Sequence, residues 1–355
     1  MRLKLSSMLV SAVCIASFAA PEVKFSGYLD ADAWLDFKGN FYTNNELDLG
    51  MSVDFTEKVS AHVYATVRAG LIPAGLGLPK DRWADFVFDG FDITYKSKVG
   101  TFSVGDLVYQ YGKFNYYFYK RLSMITNESF TRGIKYENGN DVITQGLSVG
   151  IADVSDDVSG DIVGSTSLTF GENQSLGLHY GIRGNARLSF KTGTDFFAGA
   201  EYNGSFGENV SIKADVGYLN VKGAERKNVF SFLLEPSLSF GSFSTAFTGF
   251  FMLDPDSAND LSAPLLTGMA DEMFFYVEPG YSFNDYLGIG LPLEIHAGKL
   301  KDKDDNNFWA VPTFYVYPTE GVQWWIWGQM VVPMVRGITK DNLSYALGSE
   351  IIVTF

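Results

Sequence analysis

Cysteine is nearly absent: Cys14 stands alone among 355 residues, so no disulfide can form within the chain and paired-thiol redox chemistry is excluded. Basic side chains are scarce too, with 27 Lys and Arg against 41 Asp and Glu. A chain this acidic repels the phosphate backbone, and nucleic acid is set aside as a partner. There are only 11 prolines, which leaves room for long extended segments. Beyond the first twenty residues no apolar run approaches the roughly 18 residues of a membrane-spanning helix. Any membrane reading must therefore rest on alternation.

The apolar stretch that does exist lies at the start. Met1 to Lys4 carries two positive charges, Leu9 to Ile15 is apolar, and Ser17-Phe18-Ala19 supplies small residues three back and one back from a cut. This is the pattern of a secretory signal, and the cut is expected after Ala19, since cutting after Ala20 would put Pro21 first. Ser11-Ala12-Val13 before Cys14 does not make a lipobox. Residues 20–355 would then form a single domain, without cysteine, with 25 basic against 41 acidic side chains and a net charge of −16.

What the chain has in abundance is 37 Gly, 30 Phe and 19 Tyr, the turn formers and strand-forming aromatics of β structure. A membrane strand needs about 9 to 11 residues with every second side chain apolar, because side chains alternate between the two faces of a sheet. Val23, Phe25, Gly27, Leu29, Ala31, Ala33, Leu35 and Phe37 alternate with Lys24, Ser26, Asp30, Asp32 and Asp36. Leu47 to Phe55 alternate with Glu46, Asp48, Ser52 and Asp54, and Val59 to Val67 with Ser60, His62, Tyr64, Thr66 and Arg68. Leu176 to Ile182 and Val210 to Tyr218 repeat the rule. Helical spacing fails throughout.

Tight turns follow strand-ending aromatics at Phe55-Thr56-Glu57-Lys58, Phe170-Gly171-Glu172-Asn173, Phe206-Gly207-Glu208-Asn209 and Phe283-Asn284-Asp285. Tyr95 to Gly100, Tyr136 to Asp141, Phe240 to Ser242 and Tyr317 to Gly321 fit the same scheme. Aromatics at one end of the strands read as an interfacial girdle. Between these turns lie the connections Leu71 to Arg82, Tyr109 to Glu128, Asp254 to Asp271, Gly298 to Asn307 and Pro333 to Asn342, all read as long loops. Short turns at one end and long loops at the other are the asymmetry of an outer-membrane barrel. Eight turns and two free ends predict an all-β, transmembrane antiparallel barrel of about 18 strands, or 16 if the ambiguous stretch Arg183 to Thr194 is misread.

The last strand carries the most specific short motif. Phe355 is terminal, with Val353, Ile351, Leu347, Tyr345 and Leu343 on its face and Glu350, Gly348 and Ser344 opposite. This resembles the β-signal of bacterial outer-membrane proteins, which implies recognition by the barrel assembly machinery and an outer-membrane lipid surround. Gly100-Thr101-Phe102-Ser103-Val104-Gly105-Asp106 and Arg132-Gly133-Ile134-Lys135-Tyr136, flanking the third long loop, resemble the general porin pattern over some 35 residues. That resemblance implies a loop folded into the pore. Tyr111, Lys113, Tyr116, Tyr117, Tyr119, Lys120 and Arg121 would line a constriction, and a homotrimer is an implied assembly. The alternative for the same loop is an extended surface segment packed on the rim. The acidic cluster facing an arginine ladder that the family often has is not visible in the sequence.

A barrel of this width is too wide for side chains alone to fill, so a water-filled lumen is expected. Alternation puts Asp48, Asp54, Asp92, Glu201, Asp215, Glu235, Glu278 and Glu294 inside, with Arg68, Lys96, Lys135 and Lys213 as the cations. The balance predicts a weak cation preference. Glu235-Pro236 and Glu278-Pro279 form a repeat that sets two carboxylates at equal depth, which hairpin duplication explains without hydrolytic chemistry. His62, His179 and His296 fall on the inner phase but show no ligand spacing, and Glu294 with His296 lacks a serine or second acid. Asp302-Lys303-Asp304-Asp305-Asn306 lacks the glycine and distant glutamate of a calcium loop and reads as a solvated loop.

No cofactor, metal or enzymatic activity is expected. The reading is a porin passing ions and small hydrophilic solutes. Its rivals are a sugar-type specific channel, using the tyrosine-rich loop and Trp324, Trp325 and Trp327 with only Trp325 turned inward, and a plugged barrel acting as adhesin or enzyme.

Overall fold

A computed structural model describes residues 21–74, 78–110, 128–154, 157–185, 189–222, 226–253, 272–299, 302–334 and 342–355. The alternating stretches all form strands. The first five are β1 (Glu22–Asp36), β2 (Phe41–Thr56), β3 (Val59–Ala74), β4 (Leu78–Ser97) and β5 (Gly100–Gln110). The next are β6 (Glu128–Gly139), β7 (Ile143–Val154), β8 (Asp157–Thr169), β9 (Gln174–Asn185) and β10 (Ser189–Phe206). They are followed by β11 (Val210–Lys222), β12 (Arg226–Phe240), β13 (Phe243–Leu253), β14 (Met273–Asn284) and β15 (Leu287–Gly290). The last are β16 (Leu293–Lys299), β17 (Asp302–Ala310), β18 (Thr313–Thr319), β19 (Val322–Pro333) and β20 (Ser344–Thr354).

All neighbours pair antiparallel, and β1 pairs with both β2 and β20, which closes the sheet. The closing seam is tight. Gly27 N donates to Phe355 O at 2.8 Å and Phe355 N to Gly27 O at 3.1 Å, while the Phe355 ring lies where a side chain at residue 27 would have to go. Two staves are each split in two by proline. Both β15 and β16 pair with β14 in one register, and both β17 and β18 pair with β19, so the barrel has 18 staves.

The splits have a simple cause. Leu291 N donates to Pro279 O (3.0 Å), Val311 N to Pro292 O (2.8 Å) and Gly328 N to Pro312 O (3.0 Å), but a proline has no N–H to return. Thr313 Oγ1 donates to Val311 O at 2.9 Å, meeting the carbonyl that Pro292 leaves without its ladder donor.

All eight expected tight turns are present, and at four of them a glycine takes the left-handed conformation: Gly171, Gly207, Gly241 and Gly321, with φ of 69°, 65°, 58° and 75°. Phe55, Tyr95, Phe170, Phe206, Phe240 and Phe283 are exposed on the outer face beside these turns, as a girdle requires. Tyr317 departs from that set: it lies on the inner phase and stacks with Tyr315 at 6.4 Å. In β4 the outward phase changes from Phe86 and Phe88 to Phe91, Ile93 and Tyr95, all exposed. A bulge at Asp89-Gly90 absorbs the extra residue, marked by the register shift between Tyr64 and Ala65 and by φ 139° at Gly90.

Three expected loops or ambiguities are corrected. Most of Leu71 to Arg82 is strand, since β3 runs to Ala74 and β4 starts at Leu78. Gly298 to Asn307 is likewise a hairpin, with Lys299 opposite Asp302, so the acidic run Asp302 to Asn306 is strand. Strands that outrun the lipid no longer need an apolar face, which is why alternation did not reveal them. Arg183 to Thr194 joins β9 to β10 with a register shift between Ser189 and Thr194. Among the described residues no helix is long and apolar enough to cross a membrane.

Candidate functional site: the two inner walls of the barrel

The inner face divides into two walls of different character. On β20, β1, β2, β3 and β4 most inner side chains are polar and in contact with solvent, the buried Ala346, Ile352 and Thr66 being exceptions. Tyr28, Asp30, Asp32 and Trp34 of β1 stand opposite Asp48, Glu46, Asn44 and Tyr42 of β2. Asp32 also faces Glu350 of β20, and one carboxylate oxygen from each of Asp30, Asp32 and Glu350 falls within 4.8 Å of the other two. On the far side, Glu46 and Asp48 face Arg68 and Thr66 of β3. Arg68 Nε donates to Glu46 Oε2 at 2.6 Å. Thr66 Oγ1 lies 2.7 Å from both Asp48 Oδ1 and Asp89 Oδ2, so one hydroxyl proton is shared between two acceptors. Nearer the short turns, His62 Nδ1 lies 2.9 Å from Asp92 Oδ1. Within this band, among the described residues, Arg68 is the sole guanidinium amid Asp30, Asp32, Glu46, Asp48, Asp85, Asp89 and Glu350.

The wall built by β9 to β17 is dry. Its inner positions include Phe197, Leu219, Val229, Leu233, Phe250, Met252 and Phe274, each at most 3% exposed. Several polar groups among them are matched to neighbours, while the Asp215 carboxylate and the Ser231 hydroxyl are buried without a hydrogen-bond partner among the described residues. Thr248 Oγ1 donates to Glu235 Oε1 at 2.7 Å, and His296 Nε2 lies 2.7 Å from Glu294 Oε2. Lys213 Nζ is 3.6 Å from Glu201 Oε2, and Asn203 Nδ2 donates to Glu201 Oε1 at 2.8 Å. A buried carboxylate left without donors costs several kcal/mol, roughly, so pairing of this kind is what lets these acids sit on a dry wall.

The expected lumen residues are therefore all inward, but they do not share one environment. Arg68 is exposed and Glu201 and Glu278 are half-buried. Lys213, Asp215, Glu235, Glu294 and His296 are 7% exposed or less; they belong to the packed wall and do not border water. Glu235 and Glu278 are not level, because the register runs from Glu235 past Thr248 to Tyr276, which leaves Glu278 two residues nearer the turn. Trp327, expected to face outward, shares the inner phase of Trp325 and is buried with Val311 and Ala346. His179 is buried against Gly199. Phe355, Ile351 and Val353 occupy the outer phase of β20 as expected, with Phe355 and Ile351 exposed. Tyr111, Lys113, Tyr116, Tyr117, Tyr119, Lys120 and Arg121 lie outside the described residues.

Two features were not picked out from sequence. The Asp30, Asp32 and Glu350 group depends on pairing the first strand with the last, which no local pattern encodes. The stack of Trp34 on Tyr42, with ring centroids 5.2 Å apart and planes 8° from parallel, depends on the β1–β2 register.

An antiparallel barrel of 18 staves, with an apolar aromatic exterior, a polar strip inside and short turns at one end, has the architecture of an outer-membrane β-barrel. No protein-family model and no curated protein matches the sequence. The fold does match solved outer-membrane proteins. OpdK from Pseudomonas aeruginosa is 12% identical with a TM-score of 0.58, covering 94% of this chain and 99% of that one. A second OpdK structure, determined with vanillate, matches at 12% identity and TM-score 0.58, over 94% of this chain and 98% of that chain. OccAB3 from Acinetobacter baumannii is 11% identical with a TM-score of 0.54, covering 94% of this chain and 99% of that one.

Proposed function

We propose that this barrel is an outer-membrane channel for passive diffusion of small hydrophilic solutes and ions, with a preference for cations. The observation that carries the reading is the solvated acidic band on β20 and β1 to β4, set against a dry wall opposite. A water path follows the side chains that water touches, and on these strands carboxylates outnumber the cations Lys24, Arg68 and Lys96. Fixed charge at the wall selects by sign at close range, and salt screens it beyond about 10 Å at 0.1 M. Lipid covers the outer aromatic face, and the outer-phase residues Phe355, Val353 and Ile351 form the strand that the barrel assembly machinery would read. A homotrimer is compatible with this account and is not required by it.

The test is a planar-bilayer recording of refolded protein under a potassium chloride gradient. Ohmic steps with a reversal potential on the cation side support the proposal. An anion-side reversal potential contradicts the selectivity, and absence of conductance favours a plugged barrel acting through its loops or rim.

A substrate-specific channel is the second reading, and one observation favours it: aromatic rings line the inner wall beside the acids. A related fold crystallised with vanillate, an aromatic carboxylate. Here the acids on the wall would disfavour such an anion, so a specific solute would carry the opposite charge.

A further inference from the structure

The inner phase of β14, β18, β19, β20, β1 and β2 interleaves aromatic rings with carboxylates in register. Tyr315 is directly opposite Trp325, Trp325 opposite Glu350, and Glu350 opposite Asp32. One row toward the loops, Trp327, Gly348, Trp34 and Tyr42 follow across β19, β20, β1 and β2. The rings are not packed in parallel against one another throughout. Tyr315 and Trp325 meet at 83° with centroids 5.5 Å apart, which makes a corner with two π faces. At the back of that corner the hydroxyls of Tyr276 and Tyr315 both donate to the Glu278 carboxylate, fixing the Tyr315 ring from its far end. The Trp34–Tyr42 stack borders the Asp32 and Glu350 side of the same track. Trp325, Tyr315, Asp32 and Glu350 are half-buried, so each keeps some contact with solvent, while Trp325 also packs against the buried Val311, Trp327 and Ala346.

We propose that the Tyr315–Trp325 corner, with Glu350 and Asp32 beside it, is a binding site for organic cations whose charge sits on a flat or methylated head, such as a quaternary ammonium or a guanidinium. The chemistry follows from the two kinds of wall group. Ring faces carry negative electrostatic potential and attract a weakly hydrated cation placed over them, by about 0.5 to 2 kcal/mol for each ring. Carboxylates at the edge supply the opposite charge and acceptors. A small hydrated metal ion gains little from ring faces, and an anion is repelled by Glu350 and Asp32. A neutral sugar could stack on the rings, but it gains nothing from the ionised acids beyond hydrogen bonds. The proposal rests on the diffusion-channel reading and refines it by naming the class of solute that is slowed on its way through.

The test is current block in a planar bilayer with three probes of similar size: phenyltrimethylammonium, benzoate and glucose. Phenyltrimethylammonium is expected to produce concentration-dependent interruptions of the open current at concentrations at least tenfold below any effect of benzoate or glucose. Trp325→Leu and, separately, Glu350→Gln should each raise the blocking concentration roughly tenfold, while Trp325→Tyr, which keeps a ring, should restore most of the block. Glu350→Gln changes no volume, so it keeps the test open if Trp325→Leu does not refold. Equal block by all three probes, stronger block by benzoate or glucose, or unchanged phenyltrimethylammonium block in both variants would overturn the site while leaving the channel intact. A barrel that conducts no ions at all would overturn the channel reading, a result visible before any probe is added.

Discussion

The wall formed by β20 and β1 to β4 and the wall formed by β9 to β17 follow the same rule of alternation, yet one is wet and the other is dry. On the first wall the inner phase reads Tyr28, Asp30, Asp32 and Trp34 beside Glu46 and Asp48; on the second it reads Leu219, Val229, Leu233, Phe250 and Phe274, with Glu235 and Glu294 held by partners. The difference teaches that inward is not the same as hydrated. A closed barrel fixes which way a side chain points, but packing within the barrel decides whether water reaches it. If the proposed channel holds, the dry wall carries stability and the wet wall carries solute, and substitutions should separate the two roles.

The largest separation should come from Phe274→Ala. Phe274 is fully buried between Tyr276 and His296, with ring centroids 6.5 and 4.8 Å away, and its loss should cost about 3 to 5 kcal/mol. Ser52→Ala on the wet wall should change stability by less than about 0.5 kcal/mol. Urea unfolding in detergent micelles, followed by heat-dependent gel mobility, measures both. Similar costs at the two positions would erase the distinction.

Gly27→Val should be next, at about 1 to 3 kcal/mol, because the Phe355 ring occupies the space that a side chain would enter. Phe355→Ala in the same chain should recover part of that loss, which a double-mutant cycle reads directly. Thr248→Val keeps the shape of the side chain but removes the 2.7 Å bond to the buried Glu235, and should cost about 1 to 3 kcal/mol. Asp48→Asn on the wet wall sharpens the contrast from the other side. Its stability should move by less than about 0.5 kcal/mol, while the reversal potential in a salt gradient shifts toward anions. A destabilised Asp48→Asn with unaltered selectivity would mean that the acidic band is structural.

Much of the fold was legible because the membrane imposes a period of two. The alternation of Val23 to Phe37 marked β1, and glycines such as Gly171 and Gly207 after a strand-ending Phe marked turns, so counting turns led to 18 staves. Where the strands pass beyond the lipid the signal fades: Asp302 to Asn306 looked like a loop because neither of its faces needs to be apolar. The proline-split staves were equally hidden, since Pro292 and Pro312 interrupt the bond pattern without shifting register. The site was legible only as direction. Sequence placed Glu235, Glu294 and His296 inward, but their burial depends on contacts across many strands. The meeting of Asp32 with Glu350 required the barrel to close in one register, and that of Tyr315 with Trp325 required the register of the β18–β19 hairpin.

A hydrophilic charged thiol reagent tests the division most directly, because Cys14 is the sole native cysteine and replacing it leaves a clean background. With Asp48→Cys and Leu233→Cys made separately in that background, a cationic methanethiosulfonate is added during bilayer recording. Asp48→Cys should react within minutes and change the current in discrete steps, whereas Leu233→Cys should stay unmodified. Rapid modification of Leu233→Cys with no reaction at Asp48→Cys would place the solute path along the wrong wall and contradict the account.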